Sequence, residues 1–191
     1  MIFADGGSTD GTEAIADATG ATFLPAPRGR GPQLRAAAET ARGEWLLFLH
    51  ADTVLSDDWV AAARAHMAHG GARAGWFRLR FDAKGVAPRL VAGWANLRSR
   101  LGLPYGDQGL LIHRALYRKV DGYPPFPLME DVSIVRALGR RRLARLNAIA
   151  TTSADRYEAA GWLRRGARNL LTLARYFLGA NPETLAKSYE K

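Results

Sequence analysis

Cysteine is absent from this chain, which excludes disulfide staples, thiolate metal sites and cysteine nucleophiles. Lysine is scarce: 4 of the 27 basic residues are Lys and 23 are Arg, a bias that fits a GC-rich genome as well as a binding role. No run approaches the roughly 20 apolar residues of a membrane-spanning helix. The acidic, glycine-rich start does not read as a secretory leader, and cytoplasmic residence is expected. There is no low-complexity tract and no internal repeat, so disordered and solenoid classes drop out. The arginines are scattered without interleaved stacking aromatics, and no nucleic-acid partner is expected.

The 191 residues suit a single domain with a C-terminal appendage, here divided at 1–155 and 156–191. Net charge is +9, and from residue 130 onward 12 basic residues face 6 acidic ones, so +6 of it lies in the last third. Such an asymmetry points to an anionic partner, and with nucleic acid set aside that means a nucleotide or a lipid headgroup.

The pattern of the first 70 residues is β-α-β-α-β-α. An apolar start stops at Asp5-Gly6-Gly7-Ser8, and Asp10 with Glu13 reads as a capping box for a helix to residue 19. A short strand over 21–24 and an Arg-containing loop precede a helix opened by Gly31-Pro32. Residues 45–49 form an apolar run that ends in His50-Ala51-Asp52, as a buried parallel strand does when it delivers a carboxylate to a sheet edge. Ser56-Asp57-Asp58 caps a third helix. Further on, 76–81 alternates as a strand, 89–101 reads as a helix, 109–113 as a strand and 130–143 as an Arg-rich helix. This rhythm predicts an α/β fold with a mainly parallel sheet flanked by helices.

By residue chemistry alone, the glycine turn after Asp5 suits close approach to an anionic ligand, and Asp52 offers a hard oxygen donor to Mg²⁺ or Mn²⁺. Glu130 and Asp131 read first as helix-capping acids, with an acid/base pair as the alternative.

Taken in order, ADGGSTDGT, GRGPQLRAAAETARGEWLLFLHADT and YGDQGLLIHRALYRKVDGYPPFPLMEDVSIVRAL resemble the family-2 glycosyltransferases of the GT-A, Rossmann-related fold. The similarity is greatest to a bacterial subgroup with LHADT, GDQ and MEDV strings. It implies an inverting transfer of a sugar from a nucleoside diphosphate sugar to a hydroxyl acceptor. It implies that Asp131 is the base with Glu130 beside it, and that Asp52 holds Mn²⁺ or Mg²⁺. Asp5, Gly6, Ser8, Arg30, Gln33, Arg35 and Ala51 then contact the nucleotide, and Gly106, Asp107 and Gln108 the acceptor. Trp76 is added as an apolar platform for the acceptor. His50 stands where the family's Asp-X-Asp motif has its first Asp. Against the same pattern the chain starts one βα unit late, with Met1 where a strand Val is natural, so an upstream start is expected.

The segment 161–179 is amphipathic, with Leu163, Ala167, Leu170, Leu171, Ala174, Phe177 and Leu178 on one side and Arg164, Arg165, Arg168 and Arg175 on the other. Two uses are open. One is packing on the core with a solvated basic face. The other is peripheral contact with an anionic inner membrane face, which would bring a lipid-linked acceptor within reach. Two other functions also stay open: a shortened, non-catalytic nucleotide or membrane binder, and a sugar nucleotidyltransferase.

Overall fold

The computed structural model describes residues 1–189. The N-terminal quarter holds β1 (Ile2–Asp5), α1 (Thr12–Ala18), β2 (Thr22–Pro25) and α2 (Arg30–Thr40). β1 and β2 pair in parallel from Ile2 against Thr22 to Asp5 against Pro25. The rest comprises β3 (Trp45–Phe48), β4 (Thr53–Leu55), α3 (Trp59–Met67), β5 (Ala74–Phe81), α4 (Val86–Arg100), β6 (Leu110–His113), α5 (Arg114–Lys119), α6 (Glu130–Leu138), β7 (Leu143–Thr152), α7 (Asp155–Ala160), α8 (Trp162–Phe177) and α9 (Pro182–Tyr189). A 3₁₀ turn at Gly106–Gln108 precedes β6. No helix among the described residues is long and apolar enough to cross a membrane.

The α/β class and the flanking helices stand, but the main sheet is mixed rather than mainly parallel. Its strand order is β3-β6-β5-β7-β4. Only β5 and β7 run parallel; β3–β6, β6–β5 and β7–β4 are antiparallel. Thus β3, expected as a buried parallel strand, is an edge strand antiparallel to β6. An apolar run reports burial on both faces, and burial does not fix strand direction. The expected capping box is also not formed: the N-cap of α1 is Gly11, and Asp10 instead accepts from Thr12 N and Oγ1.

Both faces of the sheet are covered, and β5 shows it residue by residue. Trp76 packs with Leu46, Phe48 and Ile112 against the α5–α6 side. Phe77 packs with Leu111, Leu146 and Ala148 beneath α3. A register shift between Trp76 and Arg78 then turns Leu79 and Phe81 towards Ala92 and Ala95 of α4. Asn96 locks α4 to the strand, accepting from Leu79 N at 2.9 Å and donating to Leu79 O at 3.0 Å. Leu173 of α8 and Leu185 of α9 share a cluster with Leu128, Met129 and Val132, so the C-terminal helices sit over the start of α6.

Backbone contact fixes where α2 begins. Gly31 N donates to Phe126 O at 3.1 Å, and a Cβ on Gly31 would lie 2.2 Å from Pro124 O and 2.6 Å from Phe126 O. Rigid carbonyls cannot move aside as a flexible side chain can. Gly31→Ala is therefore expected to destabilise by about 1–3 kcal/mol in urea unfolding. Gly93→Ala, in the exposed interior of α4 with nothing within 4 Å of its Cβ, is expected to stabilise by about 0.4–1 kcal/mol.

Candidate active site

One cleft gathers charged side chains from distant parts of the sequence. One wall carries Arg30 from the start of α2, His50 and Asp52 from the turn after β3, Tyr105 and Asp107 from the 3₁₀ turn, and Asp131 from α6. The facing wall comes from the C-terminal helices: Arg156 and Tyr157 of α7, Arg165, Asn169 and Thr172 of α8, and Tyr189 of α9.

Gln108 holds the first wall in place. It is fully buried, and its amide is fully used. Oε1 accepts from Ser99 Oγ at 2.5 Å and Tyr105 N at 3.3 Å, while Nε2 donates to Phe77 O at 3.2 Å and Asn96 Oδ1 at 3.4 Å. The turn fastened in this way directs Gly106 N at Asp131, whose Oδ2 accepts it at 2.9 Å. Asp131 Oδ1 accepts from Val132 N at 2.7 Å. A carboxylate in the first turn of a helix is favoured electrostatically, and here two backbone donors fix its orientation in the cleft.

Asp107 is nearby, its Oδ1 buried without a partner. Burial pushes its pKa up to about 6, an effect that Arg98 opposes and Asp131 reinforces. Arg98 lies 3.1 Å over the ring of Tyr105, and burial holds that phenol at about 12. The His50 ring sits against Gly106, where a Cβ would come within 2.4 Å of Nε2. That nitrogen has no partner, and burial, aided by Arg30, lowers the His50 pKa, which favours neutral imidazole.

The donor chemistry suits a divalent cation that arrives with its own ligands. Among the described residues no three His, Asp or Glu side chains are grouped as a preformed metal cage. Asp52 is an exposed carboxylate on the cleft, and the unsatisfied Asp107 Oδ1 lies in the same cleft. Mg²⁺ and similar hard cations are commonly held by one or two carboxylates plus substrate phosphates. The residues present fit that mode.

Several residues expected at the site have other duties. Trp76 is core, because both faces of β5 are covered. Gln108 is the buried brace just described and has no capacity left for an acceptor. Gln33 ties the end of β1 to the start of α2, donating to Ala4 O at 2.8 Å and accepting from Gly29 N at 3.3 Å. Arg35 turns away from the cleft to Glu39, Asp121 and the carbonyl of Tyr123. Ala51 is exposed in its turn and does not line the cleft. Glu130 is 0% exposed, behind Asp131 rather than in the cleft, with neither carboxylate oxygen partnered.

Asp5 ends β1, and its carboxylate accepts from Gly7 N and Ser8 N at 2.8 Å and from Ser8 Oγ at 2.5 Å. Those bonds lower its pKa, the Ser8 hydroxyl most. Asp5, Gly6 and Ser8 lie outside the cleft. Gly6 lies against Gln33, so α2 links this turn to Arg30. The residues of α7–α9 on the second wall went unforeseen. The signal for α8 was a polar stripe of Arg165, Asn169 and Thr172 at helical spacing, opposite the more conspicuous leucines.

The sequence model for glycosyl transferase family 2 matches residues 1–119. Among solved structures, the chain is similar to glucosyl-3-phosphoglycerate synthase from Mycobacterium tuberculosis, crystallised with Mn²⁺, UDP and glucosyl-3-phosphoglycerate. The TM-score is 0.54 at 20% identity, covering 90% of this chain and 67% of that one. It is similar also to S. aureus TarS, with a TM-score of 0.55 at 19% identity over 78% of this chain and 47% of that one. A mycobacterial protein gives 0.54 at 23% identity over 90% and 63%. The chain thus spans from about half to two thirds of the length of the structures it resembles. No curated protein matches.

Burial, reinforced by Asp131, raises the Glu130 pKa from 4.5 to about 8. The folded chain therefore binds this proton more tightly than the unfolded chain does. The contribution to stability is complete below 4.5 and declines as pH rises towards 8. Glu130→Gln is expected to flatten the fall in Tm across that window and to raise Tm at its upper end. Thermal melts at stepped pH measure this.

Proposed function

The chain belongs to glycosyl transferase family 2, and on that premise we propose that it transfers a sugar from a nucleoside diphosphate sugar to a hydroxyl acceptor with inversion at the anomeric carbon. The observation that carries the proposal is the placement of Asp131: one carboxylate, oriented by two backbone N–H donors, facing a cleft that also presents Asp52 and Arg30.

In this reading the acceptor oxygen bonds to the anomeric carbon as the bond from that carbon to the diphosphate oxygen breaks. The acceptor hydroxyl loses its proton to Asp131, which is placed to take it within the cleft. Asp52 holds the divalent cation, Mn²⁺ or Mg²⁺, with Asp107 within the same cleft. When bound, that cation neutralises charge on the departing diphosphate. The neighbour crystallised with Mn²⁺ and UDP supports the choice of metal and donor class.

Arg30 makes no ion pair among the described residues, so its guanidinium is available to phosphate oxygens. The Asp5-Gly6-Ser8 turn receives the nucleoside end, linked to Arg30 through α2. Glu130 and Gln108 act as positioning residues, one behind Asp131 and one beneath the turn that binds it. The acceptor is read as a hydroxyl compound, lipid-linked if the basic 161–179 segment meets a membrane.

Asp131→Asn keeps the size of the side chain and removes its basicity. Turnover of nucleoside diphosphate sugar is expected to fall by about a hundred- to ten-thousandfold with nucleotide affinity retained. Chromatographic measurement of released nucleoside diphosphate, paired with nucleotide titration, separates the two. Asp52→Asn is expected to raise the Mn²⁺ concentration needed for half-maximal turnover by about tenfold or more, read from a metal titration of the rate.

A further inference from the structure

Of the two uses open to the amphipathic 161–179 segment, the structure does not take the inward one for its leucines: most of them face outward. Leu163 is 89% and Leu178 88% exposed, and Leu170, Leu171 and Phe177 are exposed as well. The buried positions of α8 are Thr172 and Leu173. A second helix does the same. On α4, Val86 is 71% and Leu90 68% exposed, followed by exposed Trp94, Leu97 and the C-cap residue Leu101. At about 100° per residue these five fall within an arc of about 80°. They form a continuous apolar stripe along the solvent side of the helix.

The two helices are neighbours. Ala92 and Ala95 of α4 and Trp162 of α8 belong to one packed cluster. Ten of the large apolar residues exposed on this chain therefore lie on two adjoining helices or at their ends. Monomeric proteins rarely expose a patch of this extent without a partner.

Charge identifies the partner. Neither α4 nor α8 contains Asp or Glu, and together they carry seven arginines. Arg89 and Arg100 flank the α4 stripe and Arg164 and Arg175 the α8 stripe, all four exposed. A second copy related by a twofold axis would set the same patch against itself, arginine against arginine. Leucine and tryptophan bordered by arginine, without acid, match the interface of a bilayer rich in anionic headgroups.

We infer that α4 and α8 together form a docking face for an anionic lipid surface. The inference does not rest on the transfer reaction. It extends the contact expected of 161–179 alone, because α4 supplies half of the face. The opposite side of α8 lines the cleft through Arg165, Asn169 and Thr172, so one helix carries both the docking face and part of the cleft wall.

Co-sedimentation tests this with vesicles of pure phosphatidylcholine and of an equal phosphatidylcholine–phosphatidylglycerol mixture. The chain is expected to bind the mixed vesicles, to bind neutral ones at least about tenfold less, and to release as salt is raised. Leu90→Ser with Trp94→Ser on α4, and separately Leu163→Ser with Leu171→Ser on α8, are each expected to weaken binding by about tenfold or more. Arg89→Glu with Arg100→Glu is expected to weaken it similarly. Circular dichroism confirms that each variant is folded. In the unmodified protein, brominated lipid is expected to quench a fluorescence component that Trp94→Phe removes. Asp131→Asn is expected to dock as wild type does, which separates docking from catalysis. Absence of binding to mixed vesicles, binding indifferent to the α4 changes, or a dimer in light scattering that those changes dissolve would each overturn the inference.

Discussion

The site depends on one buried side-chain amide. Gln108 has four polar contacts and no exposure, and they reach β5, α4 and its own turn. Leaving such an amide unpaired in the interior costs about 1–3 kcal/mol per group, so the turn has one well-satisfied arrangement rather than several. That arrangement puts Asp107 on the cleft and Gly106 N on Asp131. Gly106 is closely packed for a separate reason: the His50 ring occupies the space a Cβ would need, so a side chain there would have to displace that ring. The turn after β3, the middle of β5, the 3₁₀ turn and the start of α6 are thereby tied together, with one carboxylate held by that turn.

Electrostatic tension accompanies this order. Asp52, Asp107 and Asp131 share the cleft. The tension is visible at Asp107, held near 6 by burial and by Asp131, and at Glu130, buried behind them and held near 8. Arg30 and Arg156 face the same space, and among the described residues the ion pairs within 4.0 Å both belong to Arg35. A cleft with clustered carboxylates and uncommitted guanidinium groups is suited to a ligand that brings a cation and phosphate together.

What could be read in the sequence was mainly a matter of where chains end. Asp52 closes an apolar run, whereas Glu130 and Asp131 stand out only through the resemblance to family-2 glycosyltransferases; the structure puts Asp52 and Asp131 on one cleft. The side chains misread were polar or aromatic groups whose capacity is consumed by the fold. Gln33, Arg35 and Gln108 look like ligands in a motif, but hydrogen bonds to distant backbone atoms are not written in local sequence. β7 escaped notice because its inward positions include Ala148 and Ala150, too weakly apolar to produce a clear alternation. Strand direction was misjudged because two covered faces produce the same apolar run in either sense. The leucines of α8 were legible as a stripe, but which side of the helix meets the core depends on α4, α6 and α9.

Calorimetric titration of the unmodified chain with UDP and with GDP, each with and without Mn²⁺, tests the central claim most directly. The account predicts that one of the two nucleotides binds, and that it binds much more tightly with the metal present. Failure of both nucleotides to bind, or binding indifferent to Mn²⁺, would contradict a donor site in which Asp52 meets a metal-bound diphosphate.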